Sequence, residues 1–275
     1  MTRGNGHRRI ALAGDVSRLL EIAAHKRHEL AATKAPTRLA EVKDQARHEP
    51  PPLDFLGALR APGFGVIAEI KRASPAAGTI DGSLDAAEQA RRLAAAGVHA
   101  LSVWTDQRYF GGYPEMVREM RAAAPLPLLR KDFFLDAYQV YESRALGADA
   151  IMLIAAILDV GTLRALREVA EELGMATAFS VHRDRDVETA LDAGAMTFFI
   201  HNRDVGSFDV DLEKTVSMRD LIPDEAFVVS ESGITKAEDV VVIRDHVDGV
   251  LVGTGLMESG DPCAKVRELM EAGLG

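Results

Sequence analysis

The chain has 275 residues, 47% of them hydrophobic, and carries 42 acidic against 32 basic side chains for a net charge of −10. That acidic balance argues against a nucleic-acid partner, whose binding face is basic. The longest uncharged apolar run, residues 150–158, is too short to span a bilayer, so no membrane partner is expected. The single cysteine, Cys263, excludes an internal disulfide, suits a reducing cytoplasmic location, and reads as a small packing residue on a C-terminal helix. An anionic small ligand stays open, because a few local Lys, Arg and backbone N–H groups can hold a phosphate.

In chain order, residues 1–9 are polar and basic, and the apolar piece after them is too short for a signal sequence. Helical spacing begins at 16–33, where Leu19, Leu20, Ile22, Ala23 and Leu30 mark one face behind a candidate N-cap, Asp15. A mixed-charge segment then runs to Pro50-Pro51-Pro52, which stops any helix, and 53–60 reads as one more short helix. Residues 1–62 are expected to form an N-terminal helical extension on a single barrel domain, 63–275.

From Val66 the pattern is regular. Short apolar runs fall at 66–70, 99–104, 126–129, 150–154, 176–181, 197–200, 226–230 and 249–252. Helical patterns follow each in turn, at 84–96, 113–123, 136–146, 159–173, 184–193, 211–219, 236–244 and 262–272. Gly97, Gly147, Gly174 and Gly194 sit where helices should end in a left-handed residue. Eight strand–helix units predict an α/β fold of the (β/α)8 TIM-barrel type. A doubly wound open sheet is disfavoured, because no Gly-x-Gly-x-x-Gly turn follows the first strand.

Such barrels place their sites at the carboxyl ends of the strands. Those ends give Glu69 and Lys71; Trp104, Thr105 and Asp106, then Tyr109 and Phe110; Arg130, Lys131, Asp132 and Phe133; Ser180 and His182; His201, Asn202 and Arg203; Ser230, Glu231, Ser232 and Gly233; and Gly253 and Thr254. Only the fourth end stays apolar, through Ile154. A charged residue inside the run Val66-Ile67-Ala68-Glu69-Ile70 costs too much to be filler unless it faces a polar pocket or a partner, so a structural ion pair with Lys71 is the plainer alternative. The Gly-rich turns after the last two strands fit a phosphate cradle; the plainer alternative is that their glycines only make tight turns. Lysines in a partly dry pocket are expected to have lowered pKa values and to act as acids beside Glu69 and Glu231. No metal-ligand spacing is present, and His182 reads as a structural hydrogen-bonding residue.

VIAEIKRASP (66–75), LSVWTDQRYFGG (101–112), LLRKDFFLDAYQVYESRALGADAIMLI (128–154), NRD (202–204), VSESGI (229–234) and LVGTGLM (251–257) together resemble the indole-3-glycerol phosphate synthase family, over about residues 16–270. The resemblance implies ring closure of 1-(2-carboxyphenylamino)-1-deoxyribulose 5-phosphate, a phosphorylated aromatic substrate, with loss of carbon dioxide and water and with no cofactor. It implies that Lys131 is the general acid at the ketone oxygen, that Lys71 steadies the carboxylate, and that Glu69 and Glu231 hold lysines and polar substrate groups. Ser232, Gly233, Gly253 and Thr254 would cradle the phosphate, with Asn202 and Arg203 near the substrate. Phe110 and Phe133 would wall its ring, and Ser74 would lie on the first loop nearby. A monomer or weak homodimer is expected.

Two positions depart from the family pattern. Phe179-Ser180-Val181-His182 stands where the family usually reads Val-Glu-Val-His, and Ile200-His201-Asn202-Arg203 where it usually reads Ile-Asn-Asn-Arg. The lost glutamate is the family's usual base for the dehydration. Three readings stay open: a synthase in which His201, or a water beside Ser180, replaces that base; a paralogue with an altered substrate or step; and a weak relative that binds the ligand. Retention of Lys131, Lys71 and Glu231 speaks against the last.

Overall fold

The computed structural model describes residues 12–34, 38–204 and 206–275, with side chains from Arg18 onward. Eight parallel strands close into a barrel: β1 (Gly65–Ile70), β2 (Ala100–Trp104), β3 (Leu128–Lys131), β4 (Ala150–Ile154), β5 (Ala176–Val181), β6 (Thr197–His201), β7 (Phe227–Glu231) and β8 (Gly249–Val252). Each pairs with its neighbour in sequence, and β8 returns to β1 with Gly65 opposite Gly249. A Cβ on Gly249 would meet the Gly65 carbonyl oxygen at 2.5 Å, so this closure needs its glycine.

Three helices precede the barrel: α1 (Leu12–Lys34), α2 (Leu39–His48) and α3 (Phe55–Leu59). Within it come α4 (Ala86–Ala95), α5 (Gln107–Phe110), α6 (Met116–Ala123), α7 (Ala137–Ala145), α8 (Val160–Glu172), α9 (Asp184–Asp192), α10 (Glu213–Arg219), α11 (Ala237–Ile243), α12 (Thr254–Met257) and α13 (Pro262–Leu274). Asp85, Asp136, Asp159 and Asp261 start four of these by accepting hydrogen bonds from first-turn N–H groups. The four expected helix-ending glycines take φ values of 75–93°.

Strand alternation divides the core in two. Val66, Ala68 and Ile70 face the helix layer, while Ile67 joins Ala100, Leu129, Ala150, Met152, Phe199, Val229 and Leu251 inside the barrel. Phe55 and Leu59 of α3 plug the interior, each side chain adding about 1.5–3 kcal/mol by burial. Cys263 packs half-buried against the outer layer, as expected.

Several expected boundaries move. The described first helix begins at Leu12, so Asp15 lies inside it rather than capping it. The mixed-charge segment contains α2, whose buried side chains are Val42 and Ala46. The third strand runs two residues later than expected, because Pro127 has no N–H to offer the ladder while Arg130 and Lys131 find buried partners. Ala73–Ser74 and Gly78–Thr79 form a small hairpin after β1 that the sequence did not suggest.

Candidate active site

The inward register carries straight into the site. Two residues beyond inward Ile67 stands Glu69; beyond Leu129, Lys131; beyond Ala178, Ser180; beyond Phe199, His201; beyond Val229, Glu231. Period-two geometry thus delivers five polar side chains to one end of the barrel. Their sequence neighbour Arg130 points the other way, to Glu142 on α7 at 2.9 Å and Asp132 at 3.2 Å.

Lys131 is the centre. Its ammonium is 2.8 Å from Glu69 Oε2 and 2.7 Å from Glu231 Oε2, and its side chain is 3% exposed. Glu69 Oε1 accepts from Lys71 at 2.6 Å, so charges alternate Lys71–Glu69–Lys131–Glu231 across the mouth. Burial works against every charge in this row, but the partners prevail. Against burial, the attraction of Lys131 and then Lys71 lowers Glu69 to about 2. Against burial, Lys131 and then the His201 contact hold Glu231 well below the carboxylate range. Lys131 is likewise disfavoured by burial, yet Glu231 and Glu69 raise it above the ordinary lysine value. This corrects the expectation of a lowered lysine: dryness alone would depress it, and two carboxylates within 3 Å reverse the sign.

Both departures from the family pattern converge on the other oxygen of Glu231. Ser180 donates to Oε1 at 2.8 Å, and His201 Nδ1 lies 3.3 Å from the same atom. His201 is 22% exposed, facing the mouth. His182 is buried, its ring 4.6 Å from that of His201 and its Nε2 3.5 Å from Ser180 Oγ. Burial, and then the neighbouring His201, push the His182 pKa well below the ordinary imidazole value, so it stays neutral near pH 7.

The loop after β7 is held in an unusual backbone. Ser232 has φ 72° and Gly233 φ 83°. A serine there costs about 1–3 kcal/mol of strain, of the kind that collects at functional sites. Asn202 holds it: its amide nitrogen donates to the Ser232 carbonyl at 3.0 Å and to Ser230 Oγ at 2.8 Å, while its oxygen accepts from Thr215 at 2.7 Å. Asn202 thus gives both amide protons to the protein, and its oxygen accepts from Thr215. Arg203 reaches Ser232 Oγ at 3.4 Å and the Phe208 carbonyl at 2.8 Å. Gly253 lies beneath the Glu69–Lys71 pair, where a Cβ would meet Glu69 Oε1 at 2.6 Å, and Thr254 opens α12 beside it. Ser74 is not drawn into the cluster; its hydroxyl accepts from Ala77 N–H within the hairpin turn at 3.1 Å.

Phe110 and Phe133 do line the apolar side, together with Trp104, Ile154 and Ile157, beneath Leu19, Ile22 and Ala23 of α1. The sequence reading missed what fixes α1 there. Lys26 is 3% exposed and lies 2.9 Å from Asp106 and 3.0 Å from Asp132. Its signal was available: Lys26 follows Leu19, Ile22 and Ala23 at helical spacing on the apolar face, where an ammonium needs a partner.

A closed parallel barrel with a lysine–carboxylate row across its carboxyl-terminal mouth defines a (β/α)8-barrel enzyme built to hold anions and move protons. The family model of indole-3-glycerol phosphate synthase matches residues 19–269. The indole-3-glycerol phosphate synthase of Roseiflexus castenholzii is 43% identical over 261 residues, covering 91% of this chain and 97% of the relative. That of Mycolicibacterium gilvum is 40% identical over 261 residues, covering 94% and 96%. The chain belongs to the indole-3-glycerol phosphate synthase family. Among solved structures, 3-hexulose-6-phosphate synthase from Salmonella typhimurium shares the fold alone, with a TM-score of 0.62 at 15% identity over 76% of this chain and 98% of that one.

Proposed function

We propose that this chain is a carboxy-lyase of tryptophan biosynthesis that converts 1-(2-carboxyphenylamino)-1-deoxyribulose 5-phosphate to indole-3-glycerol phosphate. The observation that carries the reading is the Lys131 ammonium, held dry between Glu69 and Glu231 at the barrel mouth. The ring carbon bearing the carboxylate attacks the ketone carbon, and Lys131 gives its proton to the ketone oxygen as that becomes a hydroxyl. A raised pKa keeps Lys131 charged until then, and the nascent alkoxide is a far stronger base than an amine. The bond to the carboxylate then breaks, carbon dioxide leaves, and the electron pair restores the aromatic ring. Loss of the hydroxyl as water, with removal of a proton from the carbon next to nitrogen, completes the indole. The nitrogen and the ring carry the electrons, so the chemistry asks for no cofactor.

The dehydration needs a proton acceptor. Glu69 and Glu231 are committed to lysine and too acidic to serve. The imidazole of His201, exposed to the mouth and oriented by Glu231, is assigned that role. Lys71 steadies the substrate carboxylate. Arg203 and the Ser232, Gly233, Gly253 and Thr254 backbone hold the phosphate; the strained, left-handed Ser232–Gly233 backbone at the mouth, of the kind that collects at functional sites, supports this. The reaction belongs in the cytoplasm of a cell that makes its own tryptophan. Among the described residues, no helix is long and apolar enough to cross a membrane.

Lys131→Arg tests the acid: it keeps the charge but cannot release a proton at neutral pH. Indole fluorescence should show kcat down by about 10²-fold or more with KM little changed. Turnover within about threefold of wild type would remove Lys131 from the role. A second reading, a paralogue working on a differently substituted ring, is favoured by the altered pair at 180 and 201. Wild-type protein that binds the unsubstituted substrate without forming indole would select it.

A further inference from the structure

Trp104 is the only tryptophan in the chain, and the roles assigned above leave it without one of its own. It ends β2 in register with Lys131. Its indole N–H donates to Glu69 Oε2 at 3.0 Å, the oxygen that also takes Lys131 at 2.8 Å. Its face lies on Phe110, with ring centroids 3.8 Å apart and planes 5° from parallel. Phe133 leans on both, 5.7 Å from Trp104 and 6.3 Å from Phe110, tilted by 38° and 41°.

These separations decide what can enter. A flat ring slipped between two others needs them about 7 Å apart, twice the aromatic contact distance. None of the three gaps reaches that. The aryl end of the mouth is thus already filled by protein rings, roofed by Leu19, Ile22 and Ala23. The indole cannot step aside cheaply: leaving would strip Glu69 of a donor and bury an unpaired N–H. Phe110 is the freer of the stacked pair, because it ends a four-residue helix next to Gly111 in a left-handed turn. An entering ring therefore meets a fixed indole and a yielding phenyl.

We propose that Trp104 is a specificity-determining residue: pinned through its N–H to Glu69, its indole sets the depth of the aryl subsite and excludes substrates whose ring carries a substituent on that edge. The inference rests on the reading that an N-aryl sugar phosphate binds at this mouth. Two features of Trp104 separate by mutation. Trp104→Phe keeps a ring and loses the N–H; Trp104→Leu loses both and opens the subsite.

The experiment is calorimetric titration of wild type, Trp104→Phe and Trp104→Leu with the borohydride-reduced substrate, which has no ketone and cannot cyclise. A ring-methylated version, with the methyl para to nitrogen, is titrated beside it, and thermal melts check that each variant is folded. In wild type the methyl should weaken binding about tenfold or more, the scale of one excess carbon in a tight apolar pocket. Trp104→Leu should bring the two Kd values within about twofold, while Trp104→Phe keeps most of the discrimination. Phe should instead lower kcat for both natural and methylated substrates alike, by loosening Glu69 against Lys131. A Kd ratio that Trp104→Leu leaves unchanged, equal binding in wild type, or no aryl-ligand binding at all overturns the proposal. Failure of wild type to form indole, with the Kd ratio behaving as described, overturns the reaction assignment and leaves the subsite inference standing.

Discussion

Replacing Lys26 by Met tests how the N-terminal helix is tied to the active-site mouth. The methionine keeps most of the stem and its packing but removes the ammonium that bridges Asp106 and Asp132. The two carboxylates then fare differently. Asp132 retains Thr105 at 2.6 Å and Arg130 at 3.2 Å. Asp106 keeps the Tyr109 N–H on one oxygen at 2.8 Å, but its other oxygen is buried and has no alternative hydrogen-bond donor among the described residues. Breaking a buried pair typically costs about 3–5 kcal/mol, and with Asp132 still served the low end applies, about 3 kcal/mol. For a chain of this size that is a Tm fall of about 6–12 °C by circular dichroism. Adding Asp106→Asn removes the stranded charge, so the double variant should recover about half of the loss, a coupling a thermodynamic cycle reads directly. Because Asp106 caps the helix carrying Phe110, KM should rise several-fold in the single variant. A Lys26→Met protein that melts within about 2 °C of wild type, with no recovery in the double variant, would refute the anchoring argument.

Two further outcomes follow from the charges at the mouth. For His201→Asn, kcat should fall by about 10²-fold with the melting temperature little changed; turnover within about threefold of wild type removes His201 as the base. The second outcome concerns acid stability. Glu69, Glu231 and Asp132 are all depressed in the folded state, so their contribution is complete above the unfolded carboxylate values of about 3.9–4.3 and is lost as pH falls toward the folded ones. Stability to urea should therefore fall in two stages as pH is lowered: a first decline begins near the unfolded imidazole value of about 6.5, because His182 is held neutral in the fold and is protonated only on unfolding, and a second runs from about pH 5 to about pH 2 as the carboxylates are lost; a curve that stays level down to about pH 5 would refute the His182 contribution.

The barrel could be read from the chain because each unit repeats one physical statement, a short buried run and then a helical face, and in four of the eight a glycine free to turn left-handed closes the helix. Where that statement weakened, the reading slipped. Leu39–His48 offers only Val42 and Ala46 to the core, too sparse an apolar stripe to stand out among charges. Arg130 and Lys131 look like loop residues by composition, and only their partners across the barrel and on α7 make them strand. The ring of polar strand ends was visible, since register alone places them. The state of their charges was not: whether Lys131 is raised or lowered depends on two carboxylates 62 and 100 residues away. Trp104, too, was visible as a rim residue, but its stacking on Phe110 and its bond to Glu69 are matters of distance that spacing does not encode.

Glu231 shows why the two unusual positions belong together. One of its oxygens is committed to Lys131, so any change nearby must be accommodated at the other. In this chain that oxygen receives a hydroxyl from Ser180 and faces an imidazole from His201, neither of which adds negative charge. A carboxylate at 180 would instead confront Glu231 directly, and one of the two acids would be driven to hold a proton. That is a sound way to make a base of moderate strength, but it needs a neutral donor at 201 to share. With serine at 180 that pressure on Glu231 is gone and Glu231 stays ionised, and under the proposed mechanism the proton-accepting task passes to the half-buried His201 imidazole at its side. On the proposed mechanism the departures at 180 and 201 are therefore two halves of one electrostatic exchange, in which the fixed carboxylate changes from a competitor of the base to the group that orients it.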